Sequence, residues 1–571
     1  MAATMVKAAV IIGPAQVADP KLWAPIEQES PSAETVVEDG KKVLKLACPF
    51  STLKGWRAGW DIEFKDGFPA SRWMRLKVRT DDPEAVANIA LYFESGPGWY
   101  RKGFGAPART WRTLIGARSK FETEGVPGAW GQVRRMRLAV FPGAKRDTAV
   151  YIEGLQGTEA STIEDAGRIG PYDSLDQLAQ LLGKTSHGKK ALANAGGLLD
   201  RAKKAPDEAG DEAQGLIRDA RRLLATAYAK EQKPRANEMR AMWCHRGQGP
   251  EMGWEKAMEH LKKNGFNTIF PNMLWSGAAY YPSKVVPNPK DVADGRDYLK
   301  ELLKAARKNG IKVHVWKVSW QFGWMADNSI LVPYRFAGRM QVDREGKAGD
   351  WLCPVNPANR KYELDAIREL VTNYDIDGFQ LDYIRYNGDE WCFCPTCRAA
   401  FEKEAGKPLP DWPKPVLTGG ELEQNYRDFR RNAITTFVAE VRGMMKSVKP
   451  KMQLSADVFP DLSCRDSVLQ DWTRWVKDGL LDFVCPMNYT EDLAEMKNRL
   501  KMDLDAVGGK IPVCVGLYAT YSPEAVQEPD MLVAQVAAAR ELGAAGFTLF
   551  EMQDHVMTGL LPFLRMGLTA K

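Results

Sequence analysis

A chain of 571 residues exceeds what a single hydrophobic core organises, so two or three domains are expected. With 44% hydrophobic and 27% charged residues the composition is that of an ordinary globular protein, and a formal net charge of +6 with no long basic run leaves no footprint for nucleic acid. No apolar run reaches the roughly 18 residues of a membrane helix, and the opening MAATMVKAAVIIGPAQVADP, with one lysine and a very short apolar patch, makes a poor signal peptide.

Residues 1–158 read as an all-β sandwich. GKKVLKLACPF, SRWMRLKVRT, NIALYFESG and GQVRRMRLAVFPG alternate apolar and polar residues between Gly, Pro and Asp turn signals. RRMRLAV and TAVYIEGL are expected to be its closing pair of strands. Trp56, Trp60, Trp73, Trp99, Trp111 and Trp130 are dense for so small a unit. They fill the sandwich core or stack sugar rings, and the unit resembles the jelly-roll accessory domains appended to polysaccharide-active enzymes. Residues 159–236 form a helical linker. SLDQLAQLL and DEAQGLIRDARRLLATAYAKEQ place Leu, Ile and Ala at helical steps, and Gly196–Gly197 is expected to break the segment into separate helices.

From 237 to 571 strand and helix patterns alternate. The strand candidates are MRAMWCH, NTIFPNM, IKVHVWKV, IDGFQLDYI, MQLSADVF, LDFVCPMNY, IPVCVGLY and AGFTLFEM, each followed by a helical stretch. LKKNG and ARKNG end two of those helices on Asn-Gly stops. Eight such units predict a (β/α)8 TIM barrel. The competing doubly wound sheet calls for a Gly-rich phosphate loop after its first strand, and none is present.

Function in that fold sits where the strands end, on inward-facing positions. In IDGFQLDYI the alternation assigns Phe379, Leu381 and Tyr383 to the helix-facing side, and Gly378, Gln380 and Asp382 to the interior. Asp382 thus stands at the inner mouth of the fourth strand, with Arg385 as its candidate structural partner. The fifth strand offers Ser455 and Asp457, the eighth Glu551, and the sixth Asn488 and Tyr489. Trp243 with His245 on the first strand, and His314 with Trp316 on the third, complete the lining. Acids for a glycosidic oxygen and aromatic platforms for pyranose faces describe a glycoside hydrolase. The preferred catalytic pair is Asp382 with Asp457, Glu551 in reserve; Gln380, Tyr383, Arg385, Asn488, Tyr489 and the four Trp and His residues are expected to bind substrate. Trp320, Trp324, Trp351, Trp391 and Trp412 lie in long rim loops and are candidate subsites. Two alternatives stand beside this reading: a non-catalytic carbohydrate-binding barrel, and a metal-dependent carbohydrate deacetylase built on a His/Asp triad.

DGFQLDYIRY, LSADVFPD, QDWTRWVKDGLLDFVCPMNYT and AMWCHRG together resemble the glycosyl-hydrolase-like family ten, over residues of about 237 to 560. The resemblance implies a barrel glycosidase with Asp382 as principal acid, a polysaccharide or oligosaccharide substrate, no catalytic cofactor, and, from the function alone, an extracytoplasmic setting.

Cys392, Cys394 and Cys397 form a C-x-C-x-x-C cluster after Asp382, and tetrahedral zinc wants a fourth thiolate. Cys353, in the loop after the third strand, is the best candidate for a structural zinc; reduced thiols or a loop disulfide are the alternatives. The arrangement is similar to that of family 42 β-galactosidases, whose cysteine cluster likewise follows the fourth-strand acid.

Overall fold

The computed structural model of the protein describes residues 9–12, 19–26, 30–38, 40–64, 73–118, 121–158, 169–172, 175–204, 210–322, 328–519 and 528–570. The chain divides into two compact units, one built from residues up to Glu231 and the other beginning at Gln232.

In the first unit two antiparallel sheets face each other. One runs Glu34–Glu38, Lys41–Cys48, Thr148–Thr158, Trp73–Thr80, Arg112–Ala117; the other runs Glu122–Gly125, Gly98–Gly103, Val86–Ser95, Val133–Pro142, Ala58–Glu63, Ala24–Pro25. Leu44, Leu46, Leu76, Val78, Val150 and Ile152 of the first sheet meet Trp60, Leu91, Phe93, Met136 and Leu138 of the second in one buried cluster, which is the sandwich core. Val133–Pro142 and Thr148–Thr158 follow each other in sequence but do not pair: each lies in a different sheet, so the connection between them crosses the sandwich. The tryptophans divide as well. Trp60 is sealed in the core and Trp130 stacks on Tyr100 at 4.1 Å, whereas Trp56 is 63% exposed. The Trp73 side chain lies outside the described residues.

Three helices follow, Leu175–Leu182, Ser186–Lys204 and Gly210–Glu231. The second runs through Gly196 and Gly197 without a break, against expectation. Two helical glycines cost about 1 kcal/mol each relative to alanine, and the buried stripe Ala195, Leu199 and Ala202 supplies the packing that offsets them.

The second unit is the TIM barrel. Its strands are Met239–Cys244, Thr268–Trp275, Lys312–Val318, Gly378–Asp382, Gln453–Val458, Phe483–Pro486, Cys514–Tyr518 and Gly546–Phe550, all parallel and arranged around the barrel in chain order. The first pairs with the eighth to close the ring. Between the sixth and seventh only two isolated bridges form, Val484 to Val513 and Met487 to Gly516. The Asn-Gly stops act as expected: the helix Tyr298–Asn309 ends on Gly310 at φ +64°, a left-handed conformation that glycine adopts without steric cost. Inside the ring, Ala241, Trp243, Phe270, Trp316, Val318, Phe483, Cys485 and Cys514 form one cluster. Two interior positions require glycine to make room for a ring. A Cβ on Gly378 would sit 2.2 Å from His314 Nδ1, and one on Gly516 would sit 2.7 Å from the Trp243 ring.

Candidate active site

The fourth strand ends on Asp382 and the fifth carries Asp457 at the matching level. Gln380 pairs with Ser455 and Leu381 with Ala456, so the next pair in register is the two aspartates. Neighbouring strands run about 4.8 Å apart, and alternation sends both side chains inward. Both carboxyls are buried, Asp382 at 4% and Asp457 at 2% exposure.

Asp382 is held from two sides. The Trp316 indole donates to Oδ2 at 3.1 Å and the backbone N–H of Tyr383 donates to Oδ1 at 2.6 Å. Burial raises its pKa to about 6; the Arg385 charge and these two donors oppose that rise without cancelling it. Asp457 has Oδ1 without a partner. Burial and then the charge of Asp382 push its pKa well above the carboxylate range, with the Trp243 indole pulling weakly the other way. Both carboxyls therefore hold their protons more firmly than a free aspartate does, Asp457 because its neighbour's charge adds to its burial.

Arg385 does not lock Asp382. Its guanidinium lies over the Tyr383 ring at 4.3 Å and over Phe459 at 4.8 Å, its Nη1 has no hydrogen-bond partner, and it acts on Asp382 through its charge alone. Tyr383 itself departs from the alternation. Its φ of +51° places a non-glycine residue in the left-handed region, a conformation that costs about 1–2 kcal/mol. The ring consequently packs on the interior cluster and on Trp351, at 5.5 Å, instead of facing the helices. Local strain beside a carboxylate is a recurrent mark of functional sites.

The remaining expected residues separate by depth. His245 is at the mouth, its ring edge-on to Trp275 at 4.4 Å and to Trp316 at 5.5 Å. Glu551 accepts from the His245 backbone N–H at 3.2 Å and from Gln553 Nε2 at 3.0 Å, and burial raises its pKa. Glu551 follows the eighth strand, which lies between the seventh and the first, so it stands across the ring from the fourth and fifth strands. Tyr489 stacks on Tyr518 at 4.8 Å, and both aspartates raise its pKa after burial does. Trp243 and Gln380 form the floor, joined by an indole-to-amide hydrogen bond of 2.8 Å. Beneath them Gln380 also donates to Cys485 Sγ at 3.4 Å.

Two expected binding residues are elsewhere. His314 is fully buried between Phe270 and Phe483, both at 5.6 Å, opposite Gly378 at the closed end of the interior. Burial depresses its pKa to about 3, so it is a neutral core side chain. Asn488 is buried and its Nδ2 donates to Met496 O at 2.9 Å, which ties it to the outer helix Leu493–Val507 and away from the mouth. Of the rim tryptophans, Trp320 packs on Phe437 at 4.5 Å and Trp412 donates to Phe393 O at 3.0 Å, both as structural contacts. Trp324 lies outside the described residues.

One residue escaped the sequence reading. Asn272 on the second strand pairs with Trp316, is fully buried, and has neither amide atom partnered. Its signal was a lone amide inside the apolar run NTIFPNM, at an interior position in register with the tryptophan that holds Asp382.

A family model described as Glycosyl hydrolase-like 10 matches residues 236–537. Among curated proteins, "Glycosyl hydrolase DigH" of Escherichia coli (strain K12) is 27% identical over 269 residues, 41% of this chain and 56% of that protein. "Glycosyl hydrolase YngK" of Bacillus subtilis is 20% identical over 258 residues, 41% of this chain and 48% of that protein. An "S-layer-related protein" of Niallia circulans is 26% identical over 325 residues, 47% of this chain and 19% of its own length. The chain thus spans about half the length of the first two and a fifth of the third. Among solved structures, the PgaB (BpsB) glycoside hydrolase domain from Bordetella bronchiseptica superposes with a TM-score of 0.47 at 15% identity, over 58% of this chain and 99% of that domain. No helix among the described residues is long and apolar enough to cross a membrane.

Proposed function

We propose that this chain, which belongs to the glycosyl hydrolase-like 10 family, hydrolyses glycosidic bonds of a polysaccharide or oligosaccharide with Asp382 and Asp457 as its carboxyl pair. The observation that carries the reading is the strand register that sets these two buried carboxyls side by side at adjacent strand ends, where burial raises both pKa values and the Asp382 charge raises that of Asp457 further, as an acid and base pair for glycoside cleavage requires. Asp457, kept protonated by burial and by its neighbour's charge, is suited to protonate the leaving oxygen. Asp382, ionised and oriented by Trp316 and the Tyr383 amide, is suited to attack the anomeric carbon or to deprotonate water. Placement on adjacent strands favours the closer carboxyl spacing, about 5–5.5 Å, and with it retention of configuration. Tyr489, His245 and Trp351 stand around the pair as sugar contacts. Relatives that bear the name glycosyl hydrolase support this reading.

The test is hydrolysis of cell-wall, algal and exopolysaccharide glycans with product analysis, comparing the wild type with Asp382→Asn and Asp457→Asn. General acid–base groups contribute about 10²–10⁴-fold, so each variant is expected to lose that much rate while retaining affinity. A barrel that only binds sugar would show no turnover in any form. Variants that hydrolyse at the wild-type rate would refute the assignment. A metal-dependent deacetylase draws no support here, since His314 is sealed in the core and the metal-capable cluster found among the described residues consists of four cysteines.

A further inference from the structure

Cys353, Cys392, Cys394 and Cys397 take no part in that chemistry, yet all four are buried and their Sγ atoms lie within 4.8 Å of one another. Cys353 Sγ is 3.4 Å from that of Cys397 and 3.6 Å from that of Cys394. A tetrahedral zinc with Zn–S bonds of about 2.3 Å sets its ligands about 3.8 Å apart, whereas a disulfide closes to about 2.05 Å. The spacing is that of the edges of a coordination tetrahedron. We propose that the four thiolates hold one structural zinc ion, which fastens the loop after the fourth strand to the loop after the third.

Three further features agree. First, the sulfurs receive amide donors: Val342 N–H points to Cys392 Sγ at 3.2 Å, and Cys397 N–H to Cys394 Sγ at 3.4 Å. Cys394 is also the N-cap of the helix Pro395–Ala405, where the helix dipole favours a negative charge. Second, the cluster explains a buried cation. Arg430 is 2% exposed and forms no ion pair with a carboxylate among the described residues. Its Nη1 donates to the carbonyls of Asp389 (2.7 Å) and Trp391, and its guanidinium lies over Tyr426 at 4.7 Å and Phe393 at 5.7 Å. Tyr426 in turn donates to the carbonyl of Cys392. A lone buried guanidinium is costly; four thiolates on a divalent ion carry a net charge of −2, which offsets that cost by attraction. Third, both ends of the clasp are anchored, since Asn359 Nδ2 donates to the carbonyl of Cys353 at 2.9 Å and Tyr426 donates to that of Cys392. Four protein ligands leave no open position, so the ion braces the rim and does not activate water.

The experiment is elemental analysis of the full chain purified without a metal-affinity tag, followed by exchange for Co²⁺ and visible spectroscopy. One zinc per chain and the absorption of a tetrahedral tetrathiolate Co²⁺ complex are expected. Cys353→Ser and Cys397→Ser should each lose most of the metal, whereas Cys464→Ser, outside the cluster, should keep it. Should the cluster variants fail to fold, titrating the wild type with a mercurial thiol reagent, and reading released zinc with a metal-sensitive dye, gives the same answer. A metal-free native chain with alkylatable thiols or disulfides at these positions, bound iron in place of zinc, or a full zinc complement in folded cluster variants would overturn the proposal.

Discussion

Replacing Asp382 by asparagine should make the barrel more stable while slowing hydrolysis by about 10²–10⁴-fold. Asp382 has its pKa raised from the ordinary 3.8 to about 6, chiefly by burial. At 1.36 kcal/mol per pH unit this difference is worth about 3 kcal/mol. The folded state binds the proton more tightly than the unfolded one, so the contribution favours folding below pH 3.8 and is lost as pH rises through 6. At pH 7 the folded barrel therefore carries an ionised carboxylate at a cost approaching about 3 kcal/mol. Asparagine has nearly the same shape, still accepts a hydrogen bond from Trp316 or the Tyr383 amide, and has no charge to desolvate. Urea unfolding followed by tryptophan fluorescence at pH 4 and pH 7 should show an advantage for Asp382→Asn of up to about 3 kcal/mol at pH 7, and much less at pH 4. The reasoning fails if the variant is less stable at pH 7, or if its advantage is the same at both values.

Trp316→Phe removes a donor that stabilises the Asp382 carboxylate, so the acidic limb of kcat/KM against pH should move upward by about one unit; a stationary limb would dissociate Asp382 from the rate. Gly378→Ala would press a methyl group into the His314 ring and should cost about 1–3 kcal/mol in thermal or denaturant unfolding. His314, with its pKa depressed to about 3 from 6.5, lends stability that is full above pH 6.5 and falls as pH drops towards 3. Between pH 7 and pH 5 the wild type should lose about 2 kcal/mol from this source. His314→Phe should lack that loss and leave KM unchanged, because the side chain is sealed beneath the floor of the mouth.

The eight strands were legible because buried strands and amphipathic helices alternate with different periods, and because Asn-Gly stops mark where two of the helices end. Periodicity of two also placed Asp382 and Asp457 inside, since it reports the face of a strand correctly. It does not report height. His314 and Trp316 share a face, but one lies beneath the floor formed by Trp243 and Gln380 and the other donates to Asp382. Nor does alternation survive past a strand's end: the left-handed turn at Tyr383 swings its ring inward, and Asn488, just beyond the sixth strand, turns out to the helix. The cysteine spacing identified three members of the cluster, and the order of loops around a barrel the fourth. The Gly196–Gly197 pair misled for an opposite reason, because local propensity yielded to packing along the helix.

The seam between the sixth and seventh strands has a mechanical consequence. Elsewhere the staves are stitched by parallel ladders of several residue pairs, one of them with a register shift between Asn272 and Leu274, but here the backbone is joined mainly by Val484 N–H to Pro512 O and Asn488 N–H to Gly516 O. Above the seam, the stacked pair Tyr489 and Tyr518 spans the gap. With isolated bridges in place of a ladder, this joint is the one at which amide deuteration of the barrel strands should begin. A ligand entering the mouth would meet a wall that yields on one side and stays stiff beside the aspartates.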